Sequence, residues 1–230
     1  MGSRESIKPL LLISGFLGAG KTTLLRRLVA GLSQREVKAD VILNDVANAE
    51  LDVASVDPDQ VSSITPIGAS CACCESLDDL MRLCKRAAEG IGDALLIELN
   101  GTADPLGMVE SLTLLEKQMA FAPIMHLCVI DVLNWGKRGG LTRLERRQME
   151  ASELFLFSHA DQAEQSAVET VQELVTTEFP RARQVTVQEL VDTLGRGVEV
   201  LPDRDPDHLL GRQASEDGAD LDSVHLLSHQ

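Results

Sequence analysis

The sequence predicts an α/β fold, a mostly parallel sheet with helices on both faces. Three observations predict it. Short apolar runs alternate with segments of helical spacing along most of the chain, as in strands joined by crossover helices. The first run, Leu10-Leu11-Leu12-Ile13, is continuous rather than alternating, as in a strand buried on both sides. Directly after it, Gly15-Phe16-Leu17-Gly18-Ala19-Gly20-Lys21-Thr22 fits G-x-x-x-x-G-K-[ST], the phosphate-binding loop (P-loop) of an NTPase.

The loop's chemistry follows from its spacing. Glycines let the backbone curl so that successive N–H groups face inward as an anion nest. A helix opening near Lys21 adds its positive N-terminal dipole. Lys21 is the residue expected to reach the β- and γ-phosphates, and the Thr22 hydroxyl the one expected to bind Mg²⁺. Leu24, Leu25, Leu28 and Leu32 then keep helical spacing.

The remaining elements follow in order. Ala39 to Leu43 reads as a strand ending at Asn44-Asp45, and residues 46 to 60 as a polar loop. Ser62 to Ile67 is a short strand. Ser76 and Asp79 resemble a capping box, followed by a helix whose apolar face holds Leu77, Leu80, Met81, Cys84, Ala87 and Ala88. Ala94 to Glu98 reads as a buried strand, and Asp104-Pro105 as the start of a helix to about Leu115. Ile124 to Ile130 is a strand ending at Asp131. On or beside it, Cys128 reads as core, and His126 as a hydrogen-bonded strand histidine with a ligand role as the alternative. Leu141 to Ala151 is helical, with Arg143, Arg146 and Arg147 on a solvated face. Leu154 to Phe157 is a strand. Val168, Val171, Leu174 and Val175 line a helix ending near Phe179-Pro180, and Val185 with a Gln188 to Leu194 helix closes the domain. This makes residues 7–194 one domain. Residues 195–230 carry an excess of Asp and Glu with Pro202 and Pro206, and read as an acidic tail or linker.

Bulk properties narrow the function classes. A net charge of −15 and a pI of about 4.7 argue against nucleic-acid binding, which needs a basic surface. Aromatic residues are 3% with no Tyr, which removes base-stacking platforms. No apolar run spans a bilayer, and Leu10 to Ile13 is too short for a signal peptide. Five cysteines, three of them crowded together, do not form a disulfide framework. They suit a reducing, cytoplasmic setting.

Two further motifs carry chemistry. Glu98 ends a buried strand and is followed by Gly101. An acid there holds Mg²⁺ directly or through water, while the Gly101 N–H meets the γ-phosphate; the alternative is a helix-capping carboxylate. Cys71-Ala72-Cys73-Cys74 places three thiols within four residues. Such thiolates suit Zn²⁺ or Cu(I) and leave a fourth position open, as an exchangeable site needs. The alternative is a loop of reactive or incidental cysteines.

Together these motifs resemble the CobW-type metallochaperone GTPases, relatives of the hydrogenase and urease maturation GTPases. The resembling stretches are Gly15 to Leu25 (with Ala19 and Thr23), Cys71 to Cys74, and Glu98-Leu99-Asn100-Gly101-Thr102-Ala103-Asp104-Pro105. Asn44-Asp45-Val46-Ala47 is similar to the family's first switch. The resemblance implies a P-loop GTPase that binds GTP and GDP with Mg²⁺ and hydrolyses GTP slowly. It also implies Zn²⁺ or a related metal at Cys71, Cys73 and Cys74, and a client metalloprotein as partner. Lys21, Asp45 and Glu98 are its implied catalytic residues.

The chain departs from the family at named positions. The guanine-reading Asn-Lys-x-Asp appears as Ser158-His159-Ala160-Asp161. Asp161 retains the acceptors for guanine N1 and N2, and His159 is placed to stack. In the first switch Asp45 stands for the usual Glu and Ala47 for Gly. His208, His225 and His229 in the tail are read as solvated, with weak metal capture as the alternative. Two other functions compete with the metallochaperone GTPase. One is a nucleotide- and metal-binding module with little turnover. The other is a small-molecule kinase, for which the basic 135–147 segment would supply lid arginines.

Overall fold

The computed structural model describes residues 7–44, 57–66, 75–110 and 121–196. Seven strands form one sheet: β1 (Lys8–Ser14), β2 (Ala39–Asn44), β3 (Val61–Pro66), β4 (Ala94–Leu99), β5 (Phe121–Asp131), β6 (Leu154–Ser158) and β7 (Arg183–Gln184). Their order is β3-β2-β4-β1-β5-β6-β7, and every pairing is parallel. Five helices are bounded within the described residues: α1 (Lys21–Ser33), α2 (Glu75–Glu89), α3 (Thr142–Glu150), α4 (Gln165–Glu178) and α5 (Val187–Arg196). A further helical stretch runs from 106 to 110.

Side-chain alternation along β5 shows why both faces are covered. Leu127 and Val129 join a core with Leu25, Leu28 and Leu32 of α1 and Leu190, Val191 and Leu194 of α5. Cys128 and Ile130 point the other way, into a core with Met149 of α3 and Val171 and Val175 of α4. Successive side chains of a strand face opposite sides, so only an apolar run of this kind serves both cores. Each fully buried leucine contributes about 1.5–3 kcal/mol; Leu25, Leu28 and Leu32 are all at 0% exposure.

Most expected elements are present, with shifted ends. Helix α2 opens at Glu75, so Ser76 lies inside its first turn and is not the cap. Strand β3, Val61–Pro66, opens one residue before the expected Ser62; Ile67, its expected end, lies outside the described residues. The helix expected from Asp104-Pro105 opens at 106, where Asp104 Oδ1 accepts the Leu106 N–H at 3.2 Å. Its continuation through 111–120 lies outside the described residues. Strand β7 was not anticipated: two exposed residues, Arg183 and Gln184, have no apolar pattern to read. Helix α5 reaches Arg196, and residues 197–230 lie outside the described residues.

Candidate functional site

The candidate site sits at the carboxyl ends of β1, β4, β5 and β6. Gly15 leaves β1 with φ +137°, and a Cβ there would stand 2.5 Å from the Val129 carbonyl oxygen. Only glycine fits both the angle and the gap. Ala19 is buried and its N–H donates to the Phe16 carbonyl at 3.0 Å, closing the loop. Gly18 is exposed, and Gly20 forms the N-cap of α1. Lys21 folds back over the loop and donates from Nζ to the carbonyls of Gly15 (3.0 Å) and Phe16 (3.3 Å). It is 5% exposed, so its charge lies in a partly desolvated cradle where an anion is held more strongly than in water. Thr23, the next residue but one, is exposed.

Parallel pairing of β1 with β4 places Ile13 opposite Glu98. That register brings the Glu98 carboxylate to the first turn of α1, where the Thr22 hydroxyl donates to Glu98 Oε1 at 2.8 Å. Glu98 is 1% exposed. Two hard oxygen ligands thus converge beside the loop, a donor set that suits Mg²⁺. Beyond β4 the chain turns through Asn100, whose Oδ1 accepts both the N–H and the hydroxyl of Thr102 at 2.9 Å. Gly101 is pressed against the phosphate loop: a Cβ would come within 2.6 Å of the Leu17 nitrogen.

The other half of the site joins β5 and β6. Asp131 pairs with Ser158 in the parallel register. The Ser158 hydroxyl donates to the Ile130 carbonyl at 3.2 Å. His159 adopts a left-handed conformation, φ 56°, which sets its Nδ1 3.1 Å from Asp131 Oδ1. Asp131 also accepts from the Leu133 N–H (3.1 Å), Asn134 Nδ2 (2.7 Å) and Arg138 Nη2 (2.9 Å). Burial alone would raise its carboxyl. The hydrogen bonds from Asn134 and His159, with the charges of His159 and Arg138, outweigh burial and hold it below the ordinary carboxylate value. Arg138 reaches further. Its Nε donates to Glu145 Oε1 at 3.4 Å, and its guanidinium lies 4.7 Å from the centroid of the Phe16 ring. For Glu145 burial wins and the carboxyl is raised, against the opposing pull of the Gly136 N–H and Arg138. Asp161 stands exposed in the short turn after His159.

Sequence reasoning named Lys21, Thr22, Glu98, Gly101, His159 and Asp161, and all lie at this end of the sheet. It did not find the Asp131, Asn134, Arg138, Glu145 and Phe16 cluster. The only signal was a strand-ending aspartate followed at three and seven residues by Asn134 and Arg138. Arg147, expected on a solvated face, is ion-paired to Asp104 at 2.7 Å. His126 is buried within β5, about 16 Å along the strand from Asp131 at ordinary strand rise, and is not among the groups gathered here. Asp45, Cys71, Cys73 and Cys74 lie outside the described residues, as do His208, His225 and His229. Cys84 and Cys128 are buried free thiols, pushed up to about 12 by burial. They are core residues, not thiolate ligands. Among the described residues no group of three His, Cys, Asp or Glu side chains is gathered for a metal, and no helix is long and apolar enough to cross a membrane.

Comparison with known proteins agrees with this arrangement. A family model described as "CobW/HypB/UreG, nucleotide-binding domain" matches residues 9–186. The zinc-regulated GTPase metalloprotein activator 1 of Dictyostelium discoideum is 26% identical over 213 residues, covering 76% of this chain and 44% of its own length. The zinc chaperone YjiA of Escherichia coli is 35% identical over 106 residues, covering 44% of this chain and 32% of its own. The chain therefore spans less than half the length of either relative. In three dimensions, the hydrogenase maturation factor HypB of Archaeoglobus fulgidus shares the fold at a TM-score of 0.59. Its identity is 19%, over 82% of this chain and 89% of that one. The family match does not favour the kinase reading, and Arg138, Arg146 and Arg147, candidate lid arginines, are each held by a carboxylate. By its sequence match and its fold, this chain belongs to the CobW/HypB/UreG family, of which it carries the nucleotide-binding domain.

Proposed function

We propose that this chain is the GTPase domain of a cytoplasmic metallochaperone. It binds GTP with Mg²⁺, hydrolyses it slowly, and couples nucleotide state to the capture and transfer of zinc or a related metal to a client metalloprotein. The observation that carries the reading is the approach of Thr22 to Glu98, 2.8 Å across two strands and beside the buried Lys21. Lys21 holds the β- and γ-phosphates within the loop formed by Gly15, Gly18, Ala19 and Gly20. Thr22 and Glu98 hold Mg²⁺, which when bound neutralises the charge on the phosphate oxygens. The Gly101 N–H faces the γ-phosphate, and Asp45 of the first switch orients water. Thr23 sits at the nucleotide-facing start of α1. Asp161 accepts from guanine N1 and N2, with His159 beside the base. Guanine preference is real but weaker than in relatives that keep the Asn-Lys pair.

The metal is cargo. Cys71, Cys73 and Cys74 supply thiolates, and a carboxylate of the first switch such as Asp45 supplies the fourth ligand. The zinc-related names of the two relatives support this choice of metal. A second reading, binding with hardly any turnover, draws support from Asp45, one methylene shorter than the usual glutamate.

The test has two linked parts. GTP and ATP compete for the site with and without Zn²⁺, in the parent and in Asp161→Ala. Losing a hydrogen bond to a charged acceptor costs ~1.5–3 kcal/mol, so the variant should lose a tenfold or greater preference for GTP. Zn²⁺ is then titrated into the parent and a Cys71/Cys73/Cys74→Ser variant, each with GDP and with a GTP analogue. About one Zn²⁺ per chain is expected in the parent, with an affinity that differs between nucleotides; linkage requires Zn²⁺ to shift nucleotide affinity by the same factor. Binding should weaken as pH falls, because free thiols ionise near ~8.5 and metal displaces their protons. Unchanged stoichiometry in the serine variant would exclude the cysteine site. Equal competition by ATP and GTP in the parent would reject guanine preference.

A further inference from the structure

Helix α3 reaches the loop that follows Glu98 through two adjacent residues. Gln148 is 1% exposed. Its Nε2 donates to the Gly101 carbonyl at 3.1 Å and to the Ala103 carbonyl at 3.0 Å, 47 and 45 residues away in sequence. Arg147, the next residue back, pairs with Asp104 at 2.7 Å. The same amide leaves its Oε1 buried with no hydrogen-bond partner. The residue is thus kept for its two donors: an apolar side chain of the same length would bury no idle oxygen but would strand the Gly101 and Ala103 carbonyls. Both donor hydrogens of one amide are thus committed to one loop.

The held loop is the one that lies on the phosphate loop. Gly101 has no room for a Cβ against the Leu17 backbone. With its carbonyl taken by Gln148, its conformation is set from one side by the amide and from the other by Leu17. The Asn100 side chain closes the turn between. Helix α3 is itself fixed at its other end, where Glu145 accepts the Gly136 N–H at 2.8 Å and the Arg138 guanidinium.

We infer that Gln148 is a positioning residue that pre-organises the 100–103 loop for a nucleoside triphosphate. The inference rests on the proposed nucleotide function. A diphosphate does not extend to this loop, so its binding is indifferent to Gln148. A triphosphate meets the Gly101 N–H, and a loop already held in place need not be ordered when it binds. Gln148 touches no nucleotide and acts only through Gly101 and Ala103.

The test measures affinities of fluorescent GDP and of a fluorescent non-hydrolysable GTP analogue, both with Mg²⁺, in the full chain. The parent, Lys21→Ala, Gln148→Met and Arg147→Ala are compared, with thermal unfolding of each. Methionine matches glutamine in length and lacks the donors. Losing two neutral hydrogen bonds should lower triphosphate-analogue affinity about tenfold in Gln148→Met, with GDP affinity changed less than about twofold. Arg147→Ala, at a side chain 37% exposed, should shift the same ratio about twofold, in the same direction. That variant carries the test if Gln148→Met fails to fold. An equal loss for both nucleotides, or no loss for either, overturns the inference. A parent that binds neither nucleotide in a Lys21-dependent way overturns the proposed function, and the role of Gln148 with it.

Discussion

The phosphate-loop half of the candidate site and the half joining β5 and β6, proposed to face the base and so called the base half, are built by different means. The phosphate half is made by one short stretch of chain: Gly15 to Thr22 curls on itself, and one partner, Glu98, arrives from the neighbouring strand. The base half is made by side chains from four places. His159 and Asp131 are 28 residues apart, and Arg138 links Asp131 to Glu145 of α3 and to the Phe16 ring. The first is held in shape by backbone geometry, the second by a charged network. Their contact is Phe16, which belongs to the phosphate loop and carries Arg138 on its face. A fault in the phosphate half should therefore abolish binding and spare the fold. A fault in the base half should unsettle the fold first.

The sharpest way to break the comparison is Lys21→Ala. Two charge-assisted contacts to phosphate are worth ~1.5–3 kcal/mol each, so nucleotide affinity should fall about a hundredfold to ten-thousandfold, at ~1.4 kcal/mol per tenfold. Stability should change little, because these two bonds from Lys21 Nζ, to the Gly15 and Phe16 carbonyls, lie within the loop itself. Isothermal titration with GTP and ATP, beside urea unfolding, checks both halves of the statement. A variant that binds like the parent would move the nucleotide site elsewhere.

Arg138→Ala tests the other half. It leaves Asp131 and Glu145, at 3% exposure each, without the cation they share. Removing one member of a buried ion pair costs about 3–5 kcal/mol, and the cation–π contact with Phe16 is lost as well. We expect a stability loss of about 3 kcal/mol by urea unfolding, with nucleotide affinity falling less than in Lys21→Ala. A loss of only about 0–1 kcal/mol, the range of a surface pair, would show that the network is dispensable.

The same contrast explains what could be read from sequence. The phosphate loop was legible because its chemistry is local: glycine spacing, a lysine and a hydroxyl within eight residues dictate the backbone. The sheet was legible because strands buried on both faces write continuous apolar runs, as in Leu10 to Ile13 and Ala94 to Ile97. Glu98 was legible only through its place after such a run. Arg138 was not, because an arginine in a basic stretch looks solvated until the fold sets two carboxylates beside it. Gln148 was invisible for the same reason: its partners are backbone carbonyls of a distant loop, which leave no trace in its own neighbourhood. Strand β7, two exposed residues, owes its existence to pairing with Leu154 and Phe155.

The smallest expected effect concerns pH, and it sharpens the link between the two halves. Asp131 has a folded carboxyl held below the ordinary value near ~3.9. A carboxyl lowered by folding adds stability that is fully present above the ordinary value and is lost as pH falls through the folded one. Glu145 is raised instead, so its contribution runs the other way, favouring the fold as acid protonates it. The acid limb therefore reports Asp131 against Glu145. His159, about a third exposed, lowers Asp131 by a hydrogen bond and by charge, and truncating it should cost little packing. In His159→Ala the Asp131 carboxyl moves back toward its ordinary value. Its share of stability shrinks, and the acid loss that remains ends at a higher pH. Urea midpoints of parent and variant between about pH 3 and 7 measure this, with the two curves expected to converge at the acid end. Parallel curves, offset equally at every pH, would mean that His159 packs in the base half without tuning Asp131. The charged network would then end at Arg138 and stop short of the 158–161 turn.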